Sequence, residues 1–312
     1  MRTKCLCLLT RETRKHASLM NSTATQVYER EGRYSPPMGK DINPEDMIDQ
    51  AHGRLLQAMK KRGKVLVAFS GGVDSGLVLK LAHDALGDSC LAAIGDSPSL
   101  PRRELEAAQG MAAEIGAPFK VVELRELENE RYRENTGFRC YYCRTELASA
   151  LKDLAAVSGF TTIADGANVS DLSDYRPGLK AADENGFWHP LIEFRLDKPA
   201  VRAMVRHLGL SWHDKPSSPC LSSRIKTGER VTLEKLAMIE EGEDFLHDFG
   251  FRVVRVRYIG GAARIEVPAE DVSRISDPPV LEEVETRLKE VGFASVEVDP
   301  KGYRQGSMNK RA

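Results

Sequence analysis

One continuous stretch, residues 64–86, constrains the fold of this chain more than any other. It opens with residues 65–69, an apolar run rich in β-branched side chains that predicts a buried strand. A glycine-rich turn follows, and after it Leu77, Val78 and Leu81 recur at the spacing of a helix. This order places a helix N-terminus at the carboxyl edge of a parallel strand, where open α/β sheets bind ligands.

The turn reads Ser70-Gly71-Gly72-Val73-Asp74-Ser75, and its chemistry suits an anion. Gly71 and Gly72 can adopt positive φ, and the first N–H groups of the helix carry the positive end of its dipole. Such a nest fits phosphate or pyrophosphate. The turn is not a Walker loop. It matches Ser-Gly-Gly-x-Asp-Ser, and so resembles the PP-loop of ATP pyrophosphatases; the alternative is a glycine-rich connection that holds no ligand.

Composition narrows the class of protein. The 312 residues carry a net charge of −1, with 41% hydrophobic and 29% charged residues, as is typical of a globular domain. We expect no stable nucleic-acid partner, because there is no overall basic footprint. No apolar run reaches the length of a membrane span, so we expect no membrane contact and a cytoplasmic location. The six cysteines are then expected to be free, metal-binding or catalytic rather than disulfide-bonded.

The order of predicted elements gives the fold class. Helices at 42–61 and 101–115 alternate with strands at 90–94, 119–124 and 161–164, which predicts an α/β fold with a doubly wound parallel sheet over residues 41–230. Residues 1–40 are polar and irregular, and we expect a disordered extension. From residue 231 the order becomes α-β-β-α-β, which predicts a smaller C-terminal α+β domain over 231–312.

Acidic and glycine residues follow the predicted strands at the ligand edge. Asp74 and Asp96 are candidates for holding magnesium or a ribose, because hard cations and hydroxyls both favour carboxylate oxygens. Asp96 could equally be a simple turn or cap residue. The loop Asp165-Gly166-Ala167-Asn168 is a candidate for closing over a nucleotide, with Gly166 as a contact residue.

Three cysteines stand in distinctive contexts. Cys140 and Cys143 form a Cys-x-x-Cys that we expect just ahead of a helix, where the dipole, Arg139 and Arg144 favour thiolates. Alone, this motif permits a redox pair, half a zinc site or half an iron–sulfur site. Cys220 lies in a turn-rich, basic loop with Lys215, Arg224 and Lys226, which could lower its pKa; an inert small hydrophobe is the alternative.

Together these motifs resemble the LarE-type ATP-dependent sulfur transferases, which act in assembly of the nickel-pincer nucleotide cofactor. The resemblance covers about residues 42–310 and extends well beyond the PP-loop. The matching stretches include residues 96–104, Arg139-Cys140-Tyr141-Tyr142-Cys143, residues 165–168, Asp171, residues 174–178, Pro219-Cys220-Leu221-Ser222-Ser223-Arg224 and residues 302–309.

The resemblance implies a mechanism. ATP adenylates a carboxylate of pyridinium-3,5-biscarboxylic acid mononucleotide, pyrophosphate leaves, and a sulfur nucleophile displaces AMP to give a thiocarboxylate, at both carboxylates in turn. In one branch of the family a lone cysteine at the Cys220 position gives up its own sulfur. In another, three cysteines hold a [4Fe-4S] cluster with one iron open for sulfide, and the set Cys140, Cys143 and Cys220 favours this branch.

The resemblance also implies roles for the second domain. Arg255 and Arg257 alternate on a predicted half-exposed strand, 251–258, and are candidates for binding the substrate phosphate; a solvated basic face is the alternative. Glu243 and Glu266 are candidates for an acidic site at a subunit interface. Family members assemble into hexamers, so we expect a homo-oligomer.

Three other functions compete with sulfur transfer to a nucleotide. A PP-loop enzyme that thiolates tRNA would also use ATP and cysteines, but the near-neutral charge and lack of a recognisable RNA-binding module disfavour it. An amidating synthetase of the NAD or GMP synthetase kind leaves the loop around Cys220 without a role. A nucleotide- or metal-binding module that has lost activity is disfavoured by the intact Ser70–Ser75 motif.

Overall fold

The central sheet of the molecule is parallel. A computed structural model of the chain describes residues 44–173 and 176–304. Within these residues the sheet contains β1 (Val65–Ala68), β2 (Cys90–Asp96), β3 (Phe119–Glu123) and β4 (Thr162–Ala164). Their order is β3-β2-β1-β4, and each neighbouring pair runs parallel, so β1 lies inside the sheet and its carboxyl end is central.

Helices cover both faces of this sheet. Val65 and Val67 of β1 enter one hydrophobic core, whereas Leu66 and Ala68 enter another on the opposite face. This alternation explains why the strand reads as continuously apolar, and it confirms the doubly wound α/β fold. The helices are α1 (Pro44–Arg62), α2 (Val73–Leu86), α3 (Arg102–Ile115), α4 (Glu130–Arg133), α5 (Arg139–Ser158), α6 (Pro177–Glu184), α7 (Pro190–Glu193) and α8 (Lys198–His207).

A smaller mixed sheet follows in the C-terminal part of the chain. It contains β5 (Arg255–Ile259), β6 (Ala262–Glu266) and β7 (Ser295–Val298), with β5 antiparallel and β7 parallel to β6. The helices around it are α9 (Leu233–Asp248), α10 (Val272–Ile275) and α11 (Pro278–Val291). The predicted α+β arrangement of this region is therefore confirmed.

The core under this second sheet recruits side chains from earlier in the chain. Tyr132, Leu221 and Ile225 are fully buried in it together with Val256 and Leu288. The described residues from 48 onward belong to one compact unit. The boundary between residues 230 and 231 stays a prediction, and a hydrophobic core crosses it.

Element boundaries differ from the predictions at two places that matter for the site. The stretch 126–139, predicted to be irregular, contains a 3-10 helix at Glu126–Glu128 and then α4. Strand β5, which was predicted to begin at residue 251, begins at Arg255. The predicted extension over residues 1–40 lies outside the described residues, as do residues 174–175 and 305–309 of the family motifs.

The lengths and polarity of the helices bear on membrane contact. Across residues 44–173 and 176–304, none of the helices combines the length and the apolar character that crossing a bilayer requires.

Candidate functional site

The glycine-rich turn joins β1 to α2, as the sequence predicts. Gly71 has a φ of +69°, and a Cβ there would lie 2.7 Å from the Cβ of Ala108. Gly72 is the N-cap of α2 and has an extended backbone, with φ of −83°. The Ser75 hydroxyl accepts from the Ser70 N–H at 3.2 Å and donates to the Gly72 carbonyl at 3.2 Å. The turn is thus closed by its own serines, at the start of a helix whose first N–H groups lack intrahelical partners.

The loop of residues 165–168 packs directly on this turn. Gly166 lies so close that a Cβ would come within 2.5 Å of the Ser75 backbone nitrogen. Asp165 is buried and accepts hydrogen bonds from the Ala167 N–H at 3.0 Å and from Arg144 Nη2 at 2.6 Å. Gly166 therefore lies at the glycine-rich turn, and its contact with a nucleotide stays a prediction.

The buried His189 contacts the loop of residues 165–168 through Asp165. His189 Nδ1 lies 2.7 Å from Asp165 Oδ1, and its Nε2 lies 2.9 Å from Asp183 Oδ1. Burial lowers the pKa of the imidazole, but the two carboxylates outweigh burial and raise the pKa of His189 to about 9. Burial likewise opposes ionisation of Asp165, yet His189 and Arg144 hold the pKa of that carboxyl below its ordinary value. The loop is fixed by a charged network.

Asp74 lies in the first turn of α2, where the sequence makes it a magnesium candidate. Burial raises the pKa of its carboxyl and Asp171 adds to the rise, whereas Lys198, Arg202 and Arg176 oppose it. Because burial disfavours the ionised carboxylate, a bound magnesium ion would stabilise it. The Asp74 side chain therefore suits the predicted magnesium site. Among residues 44–173 and 176–304, no group of three or more His, Cys, Asp or Glu side chains forms a metal site by its geometry.

Asp96 ends β2 and is already engaged in an ion pair. Its Oδ1 lies 2.7 Å from Arg102 Nη1, and Arg102 Nη2 also donates to the Ser97 and Leu100 carbonyls at 2.8 Å each. This arginine pins the turn that follows β2. The contact of Asp96 with a nucleotide or magnesium stays a prediction.

The loop of residues 215–224, here called the Cys220 loop, contacts the glycine-rich turn directly. Lys215 Nζ donates to the Gly71 carbonyl at 3.0 Å. Farther along, the Leu221 N–H donates at 2.8 Å to the carbonyl of Ser99 in the turn after β2. The Cys220 loop and the PP-loop therefore meet at the same edge of the sheet.

In the described part of the chain, five arginine side chains donate to backbone carbonyls of the Cys220 loop. Arg224 and Arg257 form ion pairs with Glu243 at 2.8 Å and Glu266 at 2.7 Å. For Arg139 and Arg255, no ion pair with a carboxylate is found within the described residues, so their charges are available to an anion. The donations are Arg139 to Ser222 at 2.7 Å, Arg202 to Lys215 at 2.9 Å, Arg224 to Cys220 at 3.0 Å, Arg255 to Ser217 at 2.9 Å and Arg257 to Ser223 at 3.1 Å.

The prediction that Arg255 and Arg257 lie on a half-exposed strand is wrong. Both residues are 6% exposed. A guanidinium can be buried when its donors are satisfied, and here Glu266 and the carbonyls of the Cys220 loop satisfy them. Burial, helped by the nearby Arg224, lowers the pKa of Arg255. Their role in binding phosphate stays a prediction.

Cys140 and Cys143 lie in the first turn of α5, so the prediction that they precede a helix is wrong. The helix begins at Arg139, and its N-cap is Phe138, whose side chain provides no cap hydrogen bond. The usual sequence signal for a helix start, a serine, threonine, aspartate or asparagine at the N-cap, is absent here. The two cysteines are nevertheless close to a helix N-terminus, and that position favours the thiolate form.

The predicted cysteines lie within electrostatic range of one another. Burial raises the pKa of the Cys143 thiol, and the charges of Cys220 and Cys140 add to the rise. Burial also raises the pKa of Cys220, with Arg139 and Arg224 opposing it. In residues 44–304 as described, the cysteines Cys90, Cys140, Cys143 and Cys220 are free thiols.

Of the three basic residues predicted to lower the pKa of Cys220, Arg224 does oppose the rise that burial causes. Lys215 is held by the Gly71 carbonyl and by Glu104, whose Oε2 lies 2.9 Å away, and Lys226 is exposed. Arg144 is paired with Asp165 and still opposes the rise in the pKa of the Cys143 thiol, so it favours that thiolate as predicted. Arg139 also favours the thiolate of Cys220, because its positive charge, like that of Arg224, opposes the rise in the pKa of that thiol.

Sequence reasoning missed Asn135 and His189. Asn135 bonds to the carbonyl of Ile225, 90 residues away, and His189 to Asp165, 24 residues away. No local pattern marks either residue, because their importance comes from partners that the fold alone brings near.

A parallel sheet whose strand β1 is joined to α2 through the motif Ser-Gly-Gly-Val-Asp-Ser, with the last three residues of the motif already in α2, defines a nucleotide-binding α/β protein of the PP-loop class. A family model described as NAD synthase matches residues 48–137, the part that contains this turn. An uncharacterised protein of Synechocystis sp. is 41% identical over 85% of this chain and 98% of its own length.

Two further relatives extend the comparison. The pyridinium-3,5-bisthiocarboxylic acid mononucleotide synthase of Lactiplantibacillus plantarum is 38% identical over 82% of this chain and 92% of its own length. An uncharacterised protein of Methanocaldococcus jannaschii is 28% identical over 80% of this chain and 94% of its own length. The chain belongs to the LarE-type family of ATP-dependent sulfur transferases.

Proposed function

We propose that this protein transfers sulfur, at the expense of ATP, to pyridinium-3,5-biscarboxylic acid mononucleotide, giving the thiocarboxylate form used in nickel-pincer cofactor biosynthesis. Family membership supports the substrate class. The observation that carries the proposal is the contact between Lys215 Nζ and the Gly71 carbonyl, at 3.0 Å, which joins the Cys220 loop to the PP-loop. A sulfur donor and an activated carboxylate could then react without a long transfer.

We assign activation of the substrate carboxylate to the glycine-rich turn. A carboxylate is a poor electrophile, whereas an acyl-adenylate has AMP as a good leaving group. The helix N-terminus after Gly72 and the hydroxyl of Ser70 are suited to hold the departing pyrophosphate, and magnesium near Asp74 would neutralise its charge. Asp96 and Gly166 are our candidates for further nucleotide contacts.

The three predicted cysteines are our candidates for the sulfur source. Cys140 and Cys220 lie near the uncompensated guanidinium of Arg139, and Cys143 lies near both of these cysteines, which suits an anionic group bound by thiolates. We favour a [4Fe-4S] cluster held by these cysteines; when bound, it would supply an iron site free to carry a sulfide. The alternative is that Cys220 gives up its own sulfur and the Cys-x-x-Cys is structural or redox-active.

The substrate's phosphate has candidate partners in the second domain. Arg255 is buried, donates to the Ser217 carbonyl and lies 5.5 Å from the centroid of the Tyr303 ring, with no carboxylate ion pair in the described residues. Its charge therefore supports an anion site next to the Cys220 loop. Arg257, which Glu266 already neutralises, would contribute hydrogen bonds rather than net charge.

The two glutamates predicted at a subunit interface form ion pairs inside the chain. Glu243 and Glu266 are buried and bound to Arg224 and Arg257 within one chain. A homo-oligomer, and a hexamer in particular, remains our expectation from the family, as does a cytoplasmic location.

The test is a single anaerobic experiment. The purified protein is assayed for iron and sulfide, then mixed with ATP, magnesium and the biscarboxylic mononucleotide, and both protein and product are weighed by mass spectrometry. We expect pyrophosphate, AMP and thiocarboxylate, with Cys220 intact. Conversion of Cys220 to dehydroalanine would overturn the cluster. Pyrophosphate release with tRNA, and none with the mononucleotide, would favour the tRNA-thiolating alternative.

A further inference from the structure

Asn135 links three parts of the chain through one buried side chain. The residue is 1% exposed and lies between α4 and α5. Its Oδ1 accepts a hydrogen bond from Arg139 Nη1 at 2.6 Å, which joins it to the first turn of α5. Its Nδ2 lies within hydrogen-bond distance of three backbone carbonyls in the turn after the Cys220 loop: Ile225 at 3.3 Å, Lys226 at 2.9 Å and Glu229 at 3.0 Å.

The backbone of Asn135 is held in an unfavourable conformation. Its φ is +52°, in the left-handed region that residues other than glycine adopt rarely and asparagine tolerates best. Such a conformation persists where surrounding contacts determine it, and here the backbone carbonyl also accepts from the Gly228 N–H at 3.0 Å. The residue is therefore fixed from several directions at once.

The group that this arrangement orients is the guanidinium of Arg139. Besides Asn135, Arg139 Nη1 donates to the Ser222 carbonyl at 2.7 Å, and Nη2 lies 4.0 Å from the Cys140 sulfur. No ion pair between Arg139 and a carboxylate is found in the described residues. Neutral acceptors thus fix the direction of this cation but leave its charge uncompensated, between the Cys-x-x-Cys and the Cys220 loop.

We propose that Asn135 is a positioning residue for sulfur transfer, acting by aiming Arg139 at the anionic sulfur and at the acyl-adenylate. This inference rests on the proposed function. A sulfide-level donor, written as hydrosulfide, forms the C–S bond, the C–O bond to AMP breaks, its electron pair leaves on the AMP phosphate, and the sulfur proton goes to water. Arg139 stays protonated throughout and stabilises the negative charge that moves past it.

The adenylation step should not depend on Asn135. The PP-loop turn is closed by Ser70 and Ser75, and it is joined to the Cys220 loop through Lys215; neither contact involves Asn135. Loss of Asn135 should therefore let the adenylate form and then hydrolyse, so that AMP is released without thiocarboxylate.

The test measures thiocarboxylate formed per pyrophosphate released, a ratio that does not change with the amount of folded enzyme. Asn135→Gly keeps the backbone conformation and removes both functions of the side chain. We expect the ratio to fall about tenfold or more, because small misplacements of a reacting environment are costly. Arg139→Gln should lower the ratio in the same way, and Arg139→Lys should restore it in part.

Asn129→Ala is the matched control. Asn129 caps α4 on the same segment, its Oδ1 accepting from the Arg131 N–H at 3.0 Å, so its loss weakens the segment without touching Arg139. Its ratio should equal that of the unaltered protein. An unchanged ratio in both Asn135→Gly and Arg139→Gln overturns the inference. Failure of the unaltered protein to release pyrophosphate with this substrate instead overturns the proposed function.

Discussion

The two loops that meet at the sheet edge are stabilised in different ways. The PP-loop turn is closed by hydrogen bonds among its own residues, chiefly through the Ser75 hydroxyl, and it continues into a regular helix. The Cys220 loop is held through its carbonyls by arginines from other segments, among them Arg139 and Arg257. One loop is a local motif and the other is assembled by the tertiary structure.

This difference separates two parts of the proposed reaction. A locally closed turn has its hydrogen bonds once its own strand and helix are in place. A loop held by remote side chains forms its functional shape only when the second sheet is in place. Changes to either loop, and to the contacts that support each, should therefore affect adenylation and sulfur transfer to different extents.

The largest effect is expected at Cys220. In Cys220→Ser the sulfur chemistry loses its thiol, while the glycine-rich turn is unchanged. We expect thiocarboxylate formation to fall by roughly 10³-fold or more, with pyrophosphate release retained. Both products are measured in one reaction. Thiocarboxylate formed at the original rate would remove Cys220 from the mechanism.

Next in size is the ion pair that anchors the Cys220 loop to the second domain. Arg224 and Glu243 have side chains that are 1% and 6% exposed, and Glu243 also accepts from the Val256 N–H at 2.9 Å. Glu243→Gln leaves Arg224 buried without a counter-charge, and we expect unfolding free energy to fall by about 3–5 kcal/mol. Denaturant titration measures the change.

Glu241 provides the control for that experiment. It lies on the same helix, but its pair with Arg287, at 2.5 Å, is exposed. Glu241→Gln should cost less than about 1 kcal/mol. Equal losses of unfolding free energy in the two variants would mean that the buried Arg224–Glu243 pair stabilises the fold no more than an exposed pair does.

Gly166→Ala tests whether the PP-loop turn also needs a remote support. The added Cβ would lie 2.5 Å from the Ser75 nitrogen and 2.8 Å from the Asp74 carbonyl carbon, so one of the two loops must move. We expect adenylation, followed as ATP–pyrophosphate exchange, to fall about 10²-fold. Gly110→Ala, where a Cβ meets nothing within 4 Å, should leave exchange unchanged. Normal exchange in Gly166→Ala would show that the turn functions without this contact.

The smallest expected effect is a change of stability with pH. The pKa of His189 is raised to about 9, against an ordinary value of 6.5, so its contribution is fully present below pH 6.5 and is lost as pH rises through 9. A shift of this size corresponds to roughly 3 kcal/mol, and the partial exposure of Asp183 reduces it to about 2 kcal/mol.

His189→Gln should remove this contribution. Unfolding free energies at pH 6 and pH 9.5 are compared for both proteins, and the decline with pH should be smaller in the variant. Parallel curves would show that the imidazolium does not stabilise the fold.

The sequence predicts the local loop better than the assembled one. Strand β1, the turn and α2 were predictable because their periodicity and glycines are contiguous in the chain. The Cys220 loop was found through its cysteine and Arg224 was assigned to it correctly, but the bonds from Arg139, Arg255 and Arg257 to its carbonyls were not predicted. Alternating Val and Arg at 254–257 indicates a half-exposed strand, whereas Arg257 is buried because Glu266 lies on the neighbouring strand.

The remaining errors have the same cause. The start of α5 at Arg139 lacks a capping side chain, and the helix begins there beside the bonds from Arg139 to Asn135 and Ser222. His189 carries no sequence signal, since its two carboxylates come from other segments of the fold. What depends on neighbours in sequence could be predicted, and what depends on neighbours in space could not.

The core shared across residue 230 has a consequence for how the chain is made. The core contains Tyr132, Leu221 and Ile225, which are synthesised first. They can be buried only after Val256 and Leu288 have been added to the chain. A ribosome adds about 5–20 residues per second, so the nucleotide-binding sheet leaves the exit tunnel seconds before those partners do. During that interval the nascent chain exposes an apolar surface that chaperones could bind. A chain released early would therefore keep its ATP-binding motif, but its sulfur chemistry would be missing.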